Sequence, residues 1–259
     1  MTSWVLLRGL SRESRHWGRF PEILQQAVGA AVLAIDLPGN GSRNGEASPS
    51  TVAGMVAACR QQLHERGLAP PYHLVALSLG GMVAVDWALE QPEEVAGAVL
   101  INTSLRPFNP FHHRLRPANY PALVGLLLEP DAGRREQTIL RLTSNRPTDP
   151  QTLAEWTAWA RQYPVTSGNA LRQLLAAARF VVPAKPPAVP LLVLGSAGDR
   201  LVDVRCSRQL AWRWQTAYAE HPTAGHDLPL DDGAWLARQV ACWLAELADA
   251  QPSSELACR

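Results

Sequence analysis

Short apolar segments that alternate with helix-like segments are the feature that most restricts the fold of this chain. Six apolar runs end in small or polar residues, as buried strands do, and they cover residues 4–7, 31–35, 73–77, 96–102, 190–194 and 217–219. Apolar residues at helical spacing occupy residues 50–65, 79–90, 205–214 and 233–248. Because this alternation needs crossover connections, it predicts an α/β fold, a mostly parallel sheet of about six strands flanked by helices.

One interval breaks the alternation. Between residues 105 and 188 there is no convincing strand, but there are helical patterns at residues 121–128, 134–143, 151–162 and 170–179. Inserted helices between two parallel strands would lie over the carboxyl edge of the sheet, where functional groups gather. We therefore expect a core of residues 1–104 and 189–248, a helical lid (cap) of residues 105–188 and a flexible tail of residues 249–259.

Composition excludes several classes of partner. With 47% hydrophobic residues and a formal net charge of +1, the 259-residue chain resembles neither a disordered protein nor a strongly basic nucleic-acid binder. There is no basic leader, no run of 18 apolar residues and no close pairing of the four cysteines, so we expect a cytoplasmic protein without a membrane span.

No cofactor or metal is implied. The "DLPGNG" loop lacks the lysine of a phosphate-binding loop, and no convincing dinucleotide-binding glycine motif follows a first strand. His112 and His113 are consecutive, and consecutive residues of one element point in different directions, which does not favour a metal site.

The stretch "LVALSLGGMVAVDWA", residues 74–88, places Ser78 where a predicted strand meets a predicted helix. A sharp turn of this kind presses the helix against the strand, and Gly80 and Gly81 supply the small side chains that this contact needs. The usual nucleophile motif, G-x-S-x-G, has a glycine where this chain has Ala76. One added methyl group does not exclude the turn, so Ser78 is the candidate nucleophile.

A serine hydroxyl needs a base to take its proton and a carboxylate to orient that base. Asp199 follows the fifth predicted strand in "GSAGDRLVD", and His226 follows the sixth in "TAGHDLPLDDG". Asp203 is the competing acid in the first loop, and Asp227 in the second is expected to cap or turn its loop. The chain order Ser78, Asp199, His226 is typical of one hydrolase arrangement.

These motifs, together with "AIDLPGNG" at residues 34–41, resemble those of the α/β-hydrolase superfamily, in particular the capped serine esterase branch that includes the pimeloyl-carrier-protein methyl esterases. The resemblance covers nearly the whole chain. It implies that Ser78 is the nucleophile, Asp199 the acid and His226 the base, and that the backbone N–H groups of Leu10 and Leu79 form the oxyanion hole. The implied activity is hydrolysis of a small-molecule carboxylic ester, free or linked to a carrier protein, through an acyl-enzyme intermediate.

Several alternatives remain open at this point. The same fold hosts thioesterases, carbon–carbon bond hydrolases and cofactor-free perhydrolases, and a non-catalytic ligand-binding homologue would also keep these motifs. Arg8 stands where the family usually has histidine, and it either contacts a substrate anion or forms a buried ion pair. Trp156 and Trp159 either pack within the lid or line an acyl pocket. Arginines of the lid are either a carrier-docking surface or a compositional bias: Arg114, Arg116, Arg134, Arg135, Arg141 and Arg146.

Overall fold

The computed structural model describes residues 2–250 of the chain. Within that range six strands form one parallel sheet in the order β2-β1-β3-β4-β5-β6, which confirms the predicted α/β fold. The strands are β1 Ser3–Leu7, β2 Val32–Ile35, β3 Tyr72–Leu77, β4 Val95–Ile101, β5 Leu191–Ser196 and β6 Ala217–His221. The helices are α1 Phe20–Val28, α2 Val52–Glu65, α3 Leu79–Glu90, α4 Phe111–Arg114, α5 Tyr120–Leu128, α6 Ala132–Thr143, α7 Pro150–Gln162, α8 Ser167–Arg179, α9 Arg205–Trp214 and α10 Leu228–Ala250.

Strand β3 lies near the centre of the sheet and is apolar on both faces. Its side chains alternate, so that Leu74 and Ala76 join one core cluster with residues of α2, α3 and α9. Val75 and Leu77 point the other way, into a second cluster with residues of α1 and α10. This two-sided burial explains the continuous apolar runs that identify the strands in the sequence.

The structure adds a helix that the sequence analysis did not predict. Helix α1 covers nine residues between β1 and β2 and buries Phe20 and Leu24. A proline stands in its first turn, and Gly29 ends it with a left-handed φ of 65°. Both are ordinary start and stop signals, but nine residues give too short a periodic pattern to stand out.

Helices α4 to α8 all lie between β4 and β5, and their bounds fall within about three residues of the predicted helical patterns where a pattern was identified. Strand β6 extends to His221, two residues past the predicted run of residues 217–219. Helix α10 continues to Ala250, past the predicted end at residue 248, and its only non-helical backbone is at Asp232. Residues 249 and 250 are therefore helical, and the rest of the predicted tail, 251–259, lies outside the described residues.

Candidate active site

Ser78 occupies a strained turn between β3 and α3. Its φ of 55° and ψ of −114° lie in a region that residues with a side chain rarely adopt. The turn is fixed from the neighbouring strand, because the Ser78 N–H donates to the Ile101 carbonyl at 2.9 Å. Such strain persists only where the surroundings enforce it, and it is typical of functional sites.

The two glycines after Ser78 are required by contacts. A Cβ atom on Gly80 would lie 2.3 Å from the Leu7 carbonyl oxygen, and one on Gly81 would lie 2.7 Å from Cβ of Thr103. Ala76 replaces the first glycine of the usual motif. It lies in the regular register of β3, opposite Leu7 and Leu100, where a side chain is accommodated. The departure from the motif therefore leaves the turn intact.

Asp199 and His226 come together at the carboxyl edge of the sheet. Asp199 Oδ2 lies 2.7 Å from His226 Nδ1, and both side chains are buried. The other oxygen, Asp199 Oδ1, accepts the N–H groups of Leu201 and Val202 at 2.8 and 2.9 Å. With its Nδ1 proton directed at Asp199, His226 keeps Nε2 available to accept a proton.

Asp203, the competing acid, has other partners. It pairs with Arg205 at 2.8 Å and with Arg116 at 3.5 Å. The hydrogen-bonded guanidinium of Arg205 holds the pKa of the Asp203 carboxyl well below its ordinary value. In this structure Asp199, and not Asp203, is the acid that contacts His226.

Ser78 and His226 are tied to the same turn after β4, although Ser78 Oγ makes no hydrogen bond to the His226 ring among the described residues. Thr103 Oγ1 donates to the Ser78 carbonyl at 2.8 Å, and Asn102 Nδ2 donates to the His226 carbonyl at 2.9 Å. Asn102 also exchanges two hydrogen bonds with Ser196 at the end of β5. This turn therefore sets the position of both backbones.

Asn102 is not among the candidate residues predicted from the sequence. Asn102 is buried and has a φ of 46°, a left-handed conformation that asparagine tolerates better than most residues. An asparagine directly after a buried strand was the available signal.

The two predicted oxyanion donors, Leu10 and Leu79, belong to segments that adjoin Ser78. Within residues 2–250, neither the Leu10 N–H nor the Leu79 N–H donates to another residue. Leu79 is the first residue of α3, where N–H groups have no partner within the helix. The loop of Leu10 packs directly on Ser78, since a Cβ atom on Gly9 would lie 3.2 Å from Ser78 Cβ. Two N–H groups are thus available to a ligand beside Ser78.

Arg8 forms a buried ion pair, which is one of the two roles predicted for it. It is 2% exposed, and Nη1 and Nη2 donate to the two carboxylate oxygens of Asp227 at 3.0 and 2.6 Å. Its guanidinium also lies 5.0 Å from the ring centroid of Trp17. The structure thus shows the buried ion pair of the two predicted roles of Arg8. Asp227 directly precedes α10, and its carbonyl accepts the N–H groups of Leu230 and Asp231 at 3.0 Å, so it also turns its loop as expected. The Arg8 guanidinium and the Asp227 carboxylate are paired with each other inside the protein.

Trp156 and Trp159 of α7 contact a residue outside the inserted helices. Both rings meet the His16 ring edge-on, at centroid distances of 4.7 and 5.4 Å, and Arg12 and Arg15 lie over their faces. His16 belongs to a 3₁₀ turn in the segment after β1, so the tryptophans attach α7 to the core. Burial, aided by the neighbouring Arg12 cation, lowers the pKa of His16 well below its ordinary value of 6.5.

Polar side chains of the inserted helices reach the loops around Ser78 and His226. Gln173 of α8 is fully buried, and its Oε1 accepts the Ser11 N–H at 2.8 Å, one residue after Leu10. Asn145, after α6, donates from Nδ2 to the carbonyls of Gly198 and Thr223 at 2.9 and 2.8 Å. No local sequence pattern indicates these contacts, because the two partners of each are far apart along the chain.

No group of three or more potential metal ligands occurs among the described residues. Over the same range, none of the helices combines the length and the apolar character that crossing a bilayer requires.

Comparisons with known proteins agree with this architecture. The model of a family described as "Alpha/beta hydrolase family" matches residues 4–239. The "Putative non-heme bromoperoxidase BpoC" of Mycobacterium tuberculosis H37Rv is 27% identical over 228 residues, 86% of each chain. The "Putative carbamate hydrolase RutD" of Variovorax paradoxus is 25% identical over 256 residues, 94% of this chain and 91% of that one. The crystal structure of the enol-lactonase from Burkholderia xenovorans LB400 superposes with a TM-score of 0.77 at 18% identity, over 94% of this chain and 91% of that one.

Proposed function

Because this chain belongs to the α/β-hydrolase family, we propose that it is a serine-dependent hydrolase of carboxylic esters that works through an acyl-enzyme intermediate. Membership of the family supports hydrolase activity. The substrate class, carboxylic esters, is our proposal. The observation that carries it is the His226–Asp199 contact of 2.7 Å at the same edge of the sheet as the strained Ser78. A base already oriented by a buried carboxylate is what a serine nucleophile needs.

In the proposed acylation step, Ser78 Oγ attacks the ester carbonyl carbon while His226 Nε2 takes the hydroxyl proton. Asp199 holds the opposite ring nitrogen and stabilises the imidazolium that forms. The N–H groups of Leu10 and Leu79 donate to the tetrahedral oxyanion. When the intermediate collapses, His226 returns the proton to the leaving alkoxide.

Deacylation repeats these roles with water as the nucleophile. His226 takes a proton from the water as it attacks the Ser78 acyl ester. When the bond to Ser78 Oγ breaks, His226 returns this proton to Oγ and the carboxylic acid leaves. No step needs a metal or an organic cofactor.

We further propose that residues 105–188 act as the lid over this site. Support comes from the contacts of α8 with Ser11 and of Asn145 with the loops that carry Asp199 and His226. The inserted helices therefore lie at the carboxyl edge, where they would limit which acyl groups reach Ser78.

Docking of a carrier protein on the lid has weaker support. Among the six arginines considered for that surface, Arg114 donates to the Ala177 carbonyl, Arg116 pairs with Asp203 and Arg146 donates to a carbonyl of α10. These contacts are internal, so they reduce the cationic groups available to an acidic partner. A free small-molecule ester is the simpler proposed substrate.

The proposal is tested with an active-site-directed fluorophosphonate and a series of p-nitrophenyl esters. We expect the wild type to be labelled and to turn over ester, and Ser78→Ala to lose labelling and at least about three orders of magnitude of kcat. If the wild type is labelled but turns over only thioesters or carbon–carbon substrates, the protein is a thioesterase or a carbon–carbon bond hydrolase and not an ester hydrolase. Absence of labelling would favour a non-catalytic ligand-binding protein.

The two aspartates of the loop after β5 provide a matched pair. Asp199→Asn should lower kcat by about 10⁴-fold, because the amide favours the wrong imidazole tautomer. Asp203→Asn should stay within about threefold of the wild type, since Asp203 contacts arginines and not His226. A larger loss in Asp203→Asn than in Asp199→Asn would overturn the acid assignment.

A further inference from the structure

The ion pair between Arg8 and Asp227 joins two parts of the chain that are 219 positions apart. Both side chains are about 2% exposed, and two parallel hydrogen bonds of 3.0 and 2.6 Å connect them. A planar guanidinium and a carboxylate in this arrangement fix both the distance and the angle between the backbones that carry them.

Each partner stands next to a group of the proposed mechanism. Arg8 directly precedes Gly9 and Leu10, and its carbonyl lies so close to α3 that a Cβ atom on Gly80 would approach it to 2.8 Å. Asp227 directly follows His226, and its N–H donates to the Thr143 carbonyl at 2.8 Å. The pair therefore connects the loop that carries one oxyanion donor to the loop that carries the base.

Stability alone is a poor reason for this pair. Removing two charges from water costs free energy that their attraction often only offsets, and well-packed apolar residues of similar volume frequently serve as well. The apolar surroundings for such a replacement exist here, because Trp17 lies against Arg8 and Leu228 follows Asp227 into the core. What an apolar pair cannot reproduce is the fixed geometry of the two hydrogen bonds.

We propose that Arg8 and Asp227 are positioning residues, which hold the Leu10 N–H and the His226 ring in register with each other across Ser78. This inference rests on the proposed ester hydrolysis for its kinetic readout. It predicts that the pair contributes to turnover separately from its contribution to stability.

The test compares three variants with the wild type: Arg8→Met, Asp227→Leu and the double variant Arg8→Met/Asp227→Leu. Each single change leaves a buried charge without a partner, so both should lower Tm and kcat. The double variant should regain a Tm close to that of the wild type. Its kcat should nevertheless stay about 10- to 100-fold low, with KM within about twofold, because small misplacements of reacting groups cost rates of that order. Recovery of kcat together with Tm would overturn the proposal.

The double variant could fail to fold, and the wild type could fail to hydrolyse esters. A second variant and a second measurement test the positioning role in these two cases. Arg8→Lys keeps the charge but not the two parallel bonds, and it should show the same loss of kcat at nearly unchanged Tm. The low-field NMR resonance of the His226 Nδ1 proton, which needs no substrate, should broaden or exchange faster in Arg8→Lys. An unchanged resonance would refute the positioning role even if the proposed ester hydrolysis had failed.

The pair of Arg60 and Glu94 is the matched control. It also has two hydrogen bonds, from Nε and Nη2 of Arg60 at 2.8 and 2.6 Å, but it is partly exposed and lies at the amino end of β4. Arg60→Met/Glu94→Gln should therefore keep kcat within about twofold of the wild type. An equal loss of kcat in this control would show that the effect of the Arg8 and Asp227 variants is not specific to the site.

Discussion

Helix α3 packs on the parallel sheet and helix α8 on the loops at its edge, and the two helices bury opposite kinds of side chain. Helix α3 lies in the core and buries Leu79, Val83 and Trp87 almost completely. Helix α8 belongs to the inserted segment, and its fully buried side chain is Gln173, whereas Leu171 is 59% exposed. The neighbouring α5, with the sequence YPALVGLLL, has no buried residue.

The two regions are stabilised by different kinds of interaction. Apolar burial is non-directional and roughly proportional to area, so it stabilises the core without requiring one orientation of each side chain. The inserted helices depend instead on directional contacts, such as Arg12 with Glu136 at 2.6 Å and Gln173 with Ser11. A polar attachment of this kind sets position sharply, and losing one partner leaves a buried polar group unsatisfied. Changes in the core should therefore affect folding, and changes in the attachment should affect the site.

The largest expected effect tests the core side of this comparison. Leu194→Ala removes a fully buried side chain of β5 and should lower the free energy of unfolding by about 2 to 5 kcal/mol. Leu171→Ala, at the exposed face of α8, should change it by less than about 0.5 kcal/mol. Urea denaturation followed by tryptophan fluorescence measures both. Similar losses in the two variants would contradict the assignment of global stability to the core.

A smaller effect on stability, with a clear effect on turnover, is expected from Gln173→Leu. The change removes the acceptor of the partly exposed Ser11 N–H and the donor to buried Asn40 Oδ1, and the one buried group left without a partner costs about 1 to 3 kcal/mol. Because Ser11 follows Leu10, we expect kcat for p-nitrophenyl esters to fall about tenfold. Gln151→Leu, on the exposed side of α7, is the control and should keep wild-type kcat. A normal kcat in Gln173→Leu would show that α8 does not help to place the Leu10 loop.

The sequence was informative where a structure depends on neighbours along the chain. A strand, a tight turn and a helix leave their mark within a dozen residues, which is why the region of Ser78 and the six strands could be predicted. The nucleophile, acid and base assignments stay predictions, although the structure does place Asp199 on His226.

What the sequence did not reveal depends on residues that are distant along the chain. Arg8 meets Asp227 across 219 positions, and Gln173 meets Ser11 across 162. No local pattern encodes which of many polar residues finds which partner, since any buried donor and acceptor of suitable geometry satisfy each other. The sequence therefore did not indicate how the inserted helices attach to the core, although it predicted the helices near residues 121–128, 134–143, 151–162 and 170–179.

The smallest expected effect concerns pH and the attachment of α7. His16 lies between Trp156 and Trp159, and its burial keeps its pKa well below 6.5, so the attached state favours the neutral ring. When α7 is detached, the ring is less buried, so its pKa rises and it binds a proton more readily. The attachment is therefore fully present above about pH 6.5 and weakens as pH falls below that value.

Hydrogen exchange of the α7 amides at pH 7.5 and pH 5.5, corrected for the intrinsic exchange rates, measures this weakening. His16→Phe keeps an aromatic ring between the two tryptophans but cannot bind a proton, so it should not lose protection at pH 5.5. Glu13 is also buried beside His16, and burial raises the pKa of its carboxyl, which would strengthen the folded state on acidification. Because Glu13 is present in both proteins, the difference between wild type and His16→Phe isolates the histidine. Equal loss of protection in the two proteins at pH 5.5 would assign the pH response to the acidic side chains and leave the attachment of α7 independent of His16.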